Sequence, residues 1–467
     1  MLRRNAAYAI LLAAVCLLVF APAYYAGITN WDDDIYLHTP ASQQISSATF
    51  ITPVLGNYHP LTILSYAIEQ QTFGTIAGEV HLTNVVLHAV TAILVFIFLQ
   101  QLTGAAFPSF AGALIWAVHP MRVESVVWIA ERKDVLCGLF YVAALIAYLR
   151  RRLGITFVLF LLSLLSKGMA VTFPLAMLAV DFLDRRKAFA EKIPFFVMSA
   201  VFGALGYVAQ RAKGALPELP GFTFTPIEKV ALSCRALLFY LGKLILPIHL
   251  SAFYPYPKSV SFFDWLAPLV VIGIAAMLLR APRVLTFAFL FFVVTISVVL
   301  PLVSIGRTIA ADRYTYIPSI GFAYAIAQVV ILSGAKDLSG RDPSPSEPAL
   351  SERSESNGRL RMTTIVAIVA ALLVGAAFAR SHVWHDSVSL WTSVIDEHPE
   401  VALAYNNRAA ASGDPREIVA DLDRAIALDP CYATALRNRM MAAERLGDNV
   451  AAASARDKLS RCQKSLP

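Results

Sequence analysis

Long apolar runs recur through the first 383 residues of this chain, and nearly all charge is confined to the segments between them. A run of about 20 apolar residues can cross a bilayer as a helix, because a helix satisfies every backbone polar group within the segment. The composition requires such an environment. Hydrophobic residues make up 57% of the 467 and charged residues only 15%, against about 25% charged in soluble domains. Mean hydropathy is +0.62. A water-soluble molecule built this way would lack polar surface to hydrate. Disordered, collagen-like and disulfide-framework classes are excluded on the same grounds.

Spans are predicted at roughly 7–27, 82–102, 105–119, 135–149, 193–210, 264–280, 284–303, 314–333 and 362–380, with shorter runs at 154–166 and 169–183. That makes about eleven helices. Arg3 and Arg4 precede a first run that is too long for a signal-peptide core and lacks a clean cleavage site, so it reads as an uncleaved span with a cytoplasmic N-terminus. Arg150–Arg152 and Asp184–Lys187 mark inner loops. Segment 227–248 carries Lys229, Arg235 and Lys243 and reads either as a span or as an interfacial helix; Arg280 and Arg283 on the inner side favour the interfacial reading. Residues 334–361 are rich in Ser, Pro and charge and are expected to be a disordered loop.

From Trp384 onward ten basic residues meet twelve acidic ones, so the excess of positive charge belongs to the membrane part. No basic stripe interleaved with aromatics occurs, and nucleic acid is not an expected partner. The five cysteines are scattered without metal-ligand spacing, and four of them read as small core residues. The tail has short alternating helical patterns. Trp391 to Pro399, Tyr405, Gly413-Asp414, Ala425 and Leu428-Asp429-Pro430 follow a tetratricopeptide pattern, with 31 residues from Pro399 to Pro430 against a repeat of about 34. Two repeats fall below the roughly three needed for a free-standing solenoid, so the tail is expected to lean on the membrane part or on a partner. The expected division is a membrane domain, 1–383, and a repeat domain, 384–467.

Four polar clusters fall on loops that this topology puts outside. Asp32-Asp33-Asp34 follows the first span. Three adjacent carboxylates repel, so one can hold a raised pKa and act as a base; a solvated acidic loop or a helix cap is the plainer reading. His59 precedes Pro60, and His81, Asn84 and His88 share one helix face, either as metal ligands or as buried hydrogen-bonded residues. His119-Pro120 leads to Arg122 and Glu124, then to Glu131-Arg132-Lys133-Asp134. Arg122 and Lys133 are suited to hold a phosphate and Glu124 to position a hydroxyl, unless the charges form an interfacial apron. The last cluster is Arg307 with Asp312-Arg313-Tyr314-Thr315-Tyr316. Lys167, alone between two apolar runs, is a functional candidate by its depth.

Taken in order, Asn30-Trp31-Asp32-Asp33, Asn57-Tyr58-His59-Pro60-Leu61, His81-Leu82-Thr83-Asn84, His119-Pro120 through Ser125, Glu131 through Asp134, Ser166-Lys167 and Asp312 through Tyr316 resemble bacterial relatives of the transmembrane and tetratricopeptide-repeat O-mannosyltransferases. The resemblance covers nearly the whole chain. It implies an all-α polytopic bundle of GT-C glycosyltransferase type, a polyprenyl-phosphate sugar donor, and a site on the outer face of the inner (cytoplasmic) membrane. It further implies Asp32 and Asp33 as catalytic carboxylates, with an aromatic, Tyr36, at the family's spacing. His59, His81, Asn84, His119, Arg122, Glu124, Arg132, Lys133, Lys167, Arg313 and Tyr314 become donor-phosphate or acceptor-binding candidates, without metal or cofactor. A protein acceptor reached through the repeats, the lipid-linked sugar and the bilayer are the implied partners. The chain departs from the pattern in having few repeats and in the loop 334–361. A non-catalytic membrane-anchored repeat scaffold is the rival reading. A transporter ranks third, since most charges sit on loops and not inside spans.

Overall fold

The computed structural model describes residues 2–212, 224–302, 308–339 and 348–464. They are mostly helical, with short 3-10 turns and a two-stranded antiparallel sheet, Tyr254–Pro255 against Thr308–Ala310. The helix Ala77–Thr103 is the axis of the bundle, with Leu2–Val19, Ala106–Ala117 and Arg132–Leu149 packed round it. Among the described residues, four helices are long and apolar enough to cross a membrane: Ala77–Thr103, Ala190–Ala212, Phe262–Arg280 and Leu360–Trp384. Shorter apolar helices run over Ala106–Ala117, Leu153–Ser166, Arg283–Val299 and Ser319–Ser333. The outer helices turn apolar side chains away from the protein; Leu279 is 85% exposed and Met277 75%. Such surface needs lipid against it, and the protein is a membrane protein.

Local chemistry accounts for several helix starts. Thr225 accepts from the Glu228 backbone N–H while Glu228 accepts from the Thr225 N–H, and Ser261 with Asp264 does the same before the next helix. Arg235 then meets the carboxylate of Asp264 at 3.0 Å, tying the helices Pro226–Ile245 and Phe262–Arg280 together. The charged segment 227–248 is thus an amphipathic helix. It buries Leu232, Leu237, Tyr240 and Leu244 against Tyr254, Phe292 and Ile296.

Of the segment expected to be a disordered loop, helix Ser319–Ser339 covers the start and helix Pro348–Ser381 the end; 340–347 lie outside the described residues, as does Arg307. The tail forms five helices, Ser387–Glu397, Ala402–Ala411, Pro415–Leu428, Ala433–Arg445 and Asn449–Lys464, each packed on the next. Its own core is small: Tyr405, Ala409, Leu422, Ala425 and Ala435. One cysteine expectation is corrected here. Cys462 is not a packed core residue but is disulfide-bonded to Cys431, 31 residues earlier. Cys16 and Cys137 are buried and Cys234 is half-buried.

Candidate active site

At one end of the bundle the loop after the first helix, the turns at Pro120–Arg122 and Ile129–Glu131, the start of helix Arg132–Leu149, Lys167 and the turn Asp312–Thr315 converge. Glu131 is their junction. Its carboxylate meets Lys133 Nζ at 3.2 Å, Lys167 Nζ at 2.9 Å and Arg313 Nε at 3.2 Å. Lys167 also reaches Asp134 at 2.6 Å. Arg313 pairs with Glu124, which in addition accepts the Arg313 backbone N–H at 2.9 Å. Burial alone would push Glu131 up, but the three cations hold it well below the usual carboxylate range. The cations are stacked on aromatic faces as well. Lys133 lies 4.7 Å from the Tyr36 ring centroid and 5.8 Å from that of Trp128; Arg313 lies 5.4 Å from Trp128 and 4.9 Å from Tyr314.

The two carboxylates singled out from the sequence have opposite surroundings. Asp33 is fully buried and its oxygens accept from the Thr29 N–H at 2.9 Å, the Thr29 hydroxyl at 2.7 Å and the Ala130 N–H at 2.8 Å. Burial pushes its carboxyl up to about 6 against those bonds. Asp33 is therefore a clasp between the loop after the first helix and the turn carrying Glu131. Asp32 is half-buried, and among the described residues its carboxylate takes no protein hydrogen bond. Burial pushes it above its ordinary range; Lys133 and Arg313 pull it back and Glu131 pushes it further. Asp34 is exposed.

The other candidates divide. His59 is buried beside Tyr36, at 5.4 Å between ring centroids, and its Nε2 has no partner. Burial, then Lys133, lower its pKa to about 3, so the ring is neutral at ordinary pH. His81, Asn84 and Arg132 stand behind the cluster. The His81 ring lies between the carbonyls of Val127 and Gly27, at 2.7 and 3.3 Å. Asn84 donates to the Trp128 carbonyl and accepts from Arg132, whose guanidinium also pairs with Glu69 and donates to the Val80 carbonyl at 2.6 Å. His88, on the same helix face, bonds Tyr316 and the Ala117 carbonyl instead, so the three do not converge as ligands. Arg122 is fully enclosed, bonded to Thr315 and flanked by Trp116 and Tyr316, and His119 contacts the Leu244 carbonyl at 3.2 Å. These six shape the loops; the charges of Lys133 and Arg313 are the cations felt by the Asp32 carboxylate.

Sequence reasoning gave Glu131, Asp134 and Trp128 no role, though all three sit in the charged run it singled out. Their signal was present in the Glu-Arg-Lys-Asp spacing at a helix start. It also gave no separate role to Asp312, whose buried carboxyl accepts the Tyr254 hydroxyl at 3.0 Å and is pushed up to about 7 by burial and Glu124.

No family model matches the chain. Its sequence is similar to proteins named protein O-mannosyl-transferases. It is 26% identical to protein O-mannosyl-transferase F38B6.6 of Caenorhabditis elegans over 404 residues, 80% of this chain and 54% of that one. It is 34% identical over 94 residues to TMTC2 of Homo sapiens, 20% of this chain and 11% of the relative. It is 27% identical over 124 residues to TMTC3 of Homo sapiens, 26% and 13% of the two chains. The chain thus spans about half the length of the first of these and about a tenth of the others.

Proposed function

We propose that this protein is a membrane glycosyltransferase of GT-C type that moves a mannose-like sugar from a polyprenyl-phosphate donor to a hydroxyl, that of a protein Ser or Thr, on the extracytoplasmic face. The observation that carries this reading is Asp32: a half-buried carboxylate that takes no protein hydrogen bond among the described residues and lies within the field of Lys133 and Arg313. A scaffold has no use for that arrangement. In the reaction Asp32 takes the acceptor proton, and the acceptor oxygen attacks the anomeric carbon on the face opposite the phosphate. The bond from carbon to phosphate oxygen breaks, its electron pair leaves with the phosphate, and the configuration inverts. Lys133, Lys167 and Arg313 meet the growing phosphate charge from positions already fixed by Glu131, Asp134 and Glu124. The similarity to named O-mannosyl-transferases supports mannose and a protein acceptor.

Two features support the sidedness and the repeats. The disulfide Cys431–Cys462 suits a tail in an oxidising compartment. The tail helices read as tetratricopeptide repeats: Asn406 and Asn438, hydrogen-bonded to each other at 2.9 Å, are 32 residues apart. The helices Leu2–Val19 through Pro348–Ser381 read as about eleven spans, with the short apolar ones among them.

The test is transfer from mannose-labelled polyprenyl phosphate to endogenous acceptors in membranes of a deletion strain. Asp32→Asn should lower transfer by about 10²–10⁴-fold with unchanged protein amount, the usual worth of a general base. Equal transfer by wild type and variant would remove Asp32 from the mechanism.

A further inference from the structure

The loop that carries Asp32 is held by the far end of the chain. Asn30, two residues before Asp32, uses three groups for this. Its backbone N–H donates to Ser387 Oγ at 2.9 Å, its Nδ2 donates to the Asn407 carbonyl at 2.8 Å, and its Oδ1 accepts from Trp391 Nε1 at 2.7 Å. Gly27 N–H donates to the His385 carbonyl at 2.8 Å. Trp31, between Asn30 and Asp32, lies in a group of four indoles. Its centroid is 4.6 Å from Trp128, 5.0 Å from Trp391 and 6.3 Å from Trp384, and Trp128 stacks on Trp384 at 5.3 Å. Trp128, Trp384 and Trp391 are all buried. Lys133 and Arg313 lie over the Trp128 ring of this group, 5.8 and 5.4 Å from its centroid.

Building on the reading of Asp32 as the base, we propose that the start of the C-terminal region is a positioning element of the catalytic site, in which Asn30 and Trp391 set where the Asp32 carboxylate stands relative to Lys133 and Arg313. The physical reason is the contrast at the loop itself. Among the described residues the Asp32 carboxylate takes no protein hydrogen bond, so its position follows from its two flanks. Asp33 fixes the C-terminal flank through Thr29 and Ala130. Asn30 and Trp31 fix the N-terminal flank, and their partners come from 384–407. Catalysis by a positioned base is sensitive to misplacement of about 1 Å, which can cost on the order of 10²-fold.

The experiment uses the full-length protein in membranes, with mannose-labelled polyprenyl phosphate as probe and activity expressed per folded molecule, counted as the monodisperse fraction in detergent. Trp391→Phe keeps a ring in the group and deletes the donor to Asn30; Asn30→Ala deletes both side-chain bonds. Each should lower kcat about tenfold or more while the donor KM stays within about twofold, since the phosphate-binding cations are untouched. The double variant should be little worse than Asn30→Ala alone, because both changes act on one interaction. Ser387→Ala, which removes a single hydroxyl, should show a smaller loss of the same kind and keeps the test readable if the tryptophan change costs the fold. Fewer folded molecules with unchanged kcat per molecule would overturn the proposal, since the contacts would then be structural only. So would wild-type kcat in all the variants. If Asp32→Asn is inactive in parallel, either result leaves the assignment of the base standing; if Asp32→Asn is fully active, that assignment fails and the positioning role fails with it.

Discussion

Asp32 and Asp33 are neighbours in sequence and opposites in environment, and the difference sets a pH signature. In the proposed mechanism the working form of Asp32 is the carboxylate, so activity should fall as pH drops through its pKa. Burial raises that pKa above the roughly 3.9 of a free Asp. Lys133 stabilises the charged form and pulls it down; Glu131 destabilises it and pushes it up. Removing the cation in Lys133→Met should therefore move the acid limb of kcat/KM to higher pH, and Glu131→Gln should move it to lower pH, whatever happens to the maximal rate. The pH profiles of both variants against wild type check this, and limbs that stay put would mean another group is the base. The Asp run itself was legible as a candidate. Which member is free was not, because one of the donors that occupies Asp33 is the Ala130 N–H, 97 residues away. Glu131 was illegible as a junction for the same reason: its partners come from 133, 167 and 313.

At the scale of elements, the apolar runs were legible because their length and composition are local properties. The run read at 264–280 is the helix Phe262–Arg280, extended at its start by the Ser261–Asp264 capping pair. The read loop 334–361 shows where composition fails. Ser, Pro and charge say that a segment buries nothing, yet a helix already nucleated in an apolar span can run on past the end of that span, as Ser319–Ser339 does. What no local property reports is which helices touch. Ala106–Ala117 and Ser319–Ser339 approach so closely that a Cβ on Gly112 would lie 2.3 Å from the Ala323 carbonyl oxygen. That neighbour is backbone and cannot swing aside. Gly112→Ala should force the two helices apart and destabilise the bundle by about 1–3 kcal/mol, the usual cost of overpacking. Thermal unfolding in detergent reads it; an unchanged transition would mean that the helices separate freely.

At the scale of the whole molecule, the sequence led to a tail too small to stand alone, and the tail does lean on the loop after the first helix through Asn30 and the indoles. Its second support was not foreseen, because cysteines with no spacing motif, one in a turn and one in a helix, carry no sign that they pair. Cys431 and Cys462 have Cα atoms 5.5 Å apart and are joined, which fastens the last helix to the turn before Ala433–Arg445. Disulfides form and persist chiefly in oxidising compartments. The tail is also bonded to the loop carrying Asp32, so both must lie on one side of the membrane. Protein extracted from its native membranes with alkylating quench, then denatured, should expose three reactive thiols before reduction, those of Cys16, Cys137 and Cys234, and all five cysteines afterwards. Cys431→Ser should add a reactive Cys462 and lower the stability of the last helices by about 2–4 kcal/mol. Five reactive thiols before reduction would put the tail on the reducing side. Since tail and Asp32 loop are joined, that result would move the proposed reaction to the cytoplasmic face and with it the side from which the lipid-linked donor is drawn.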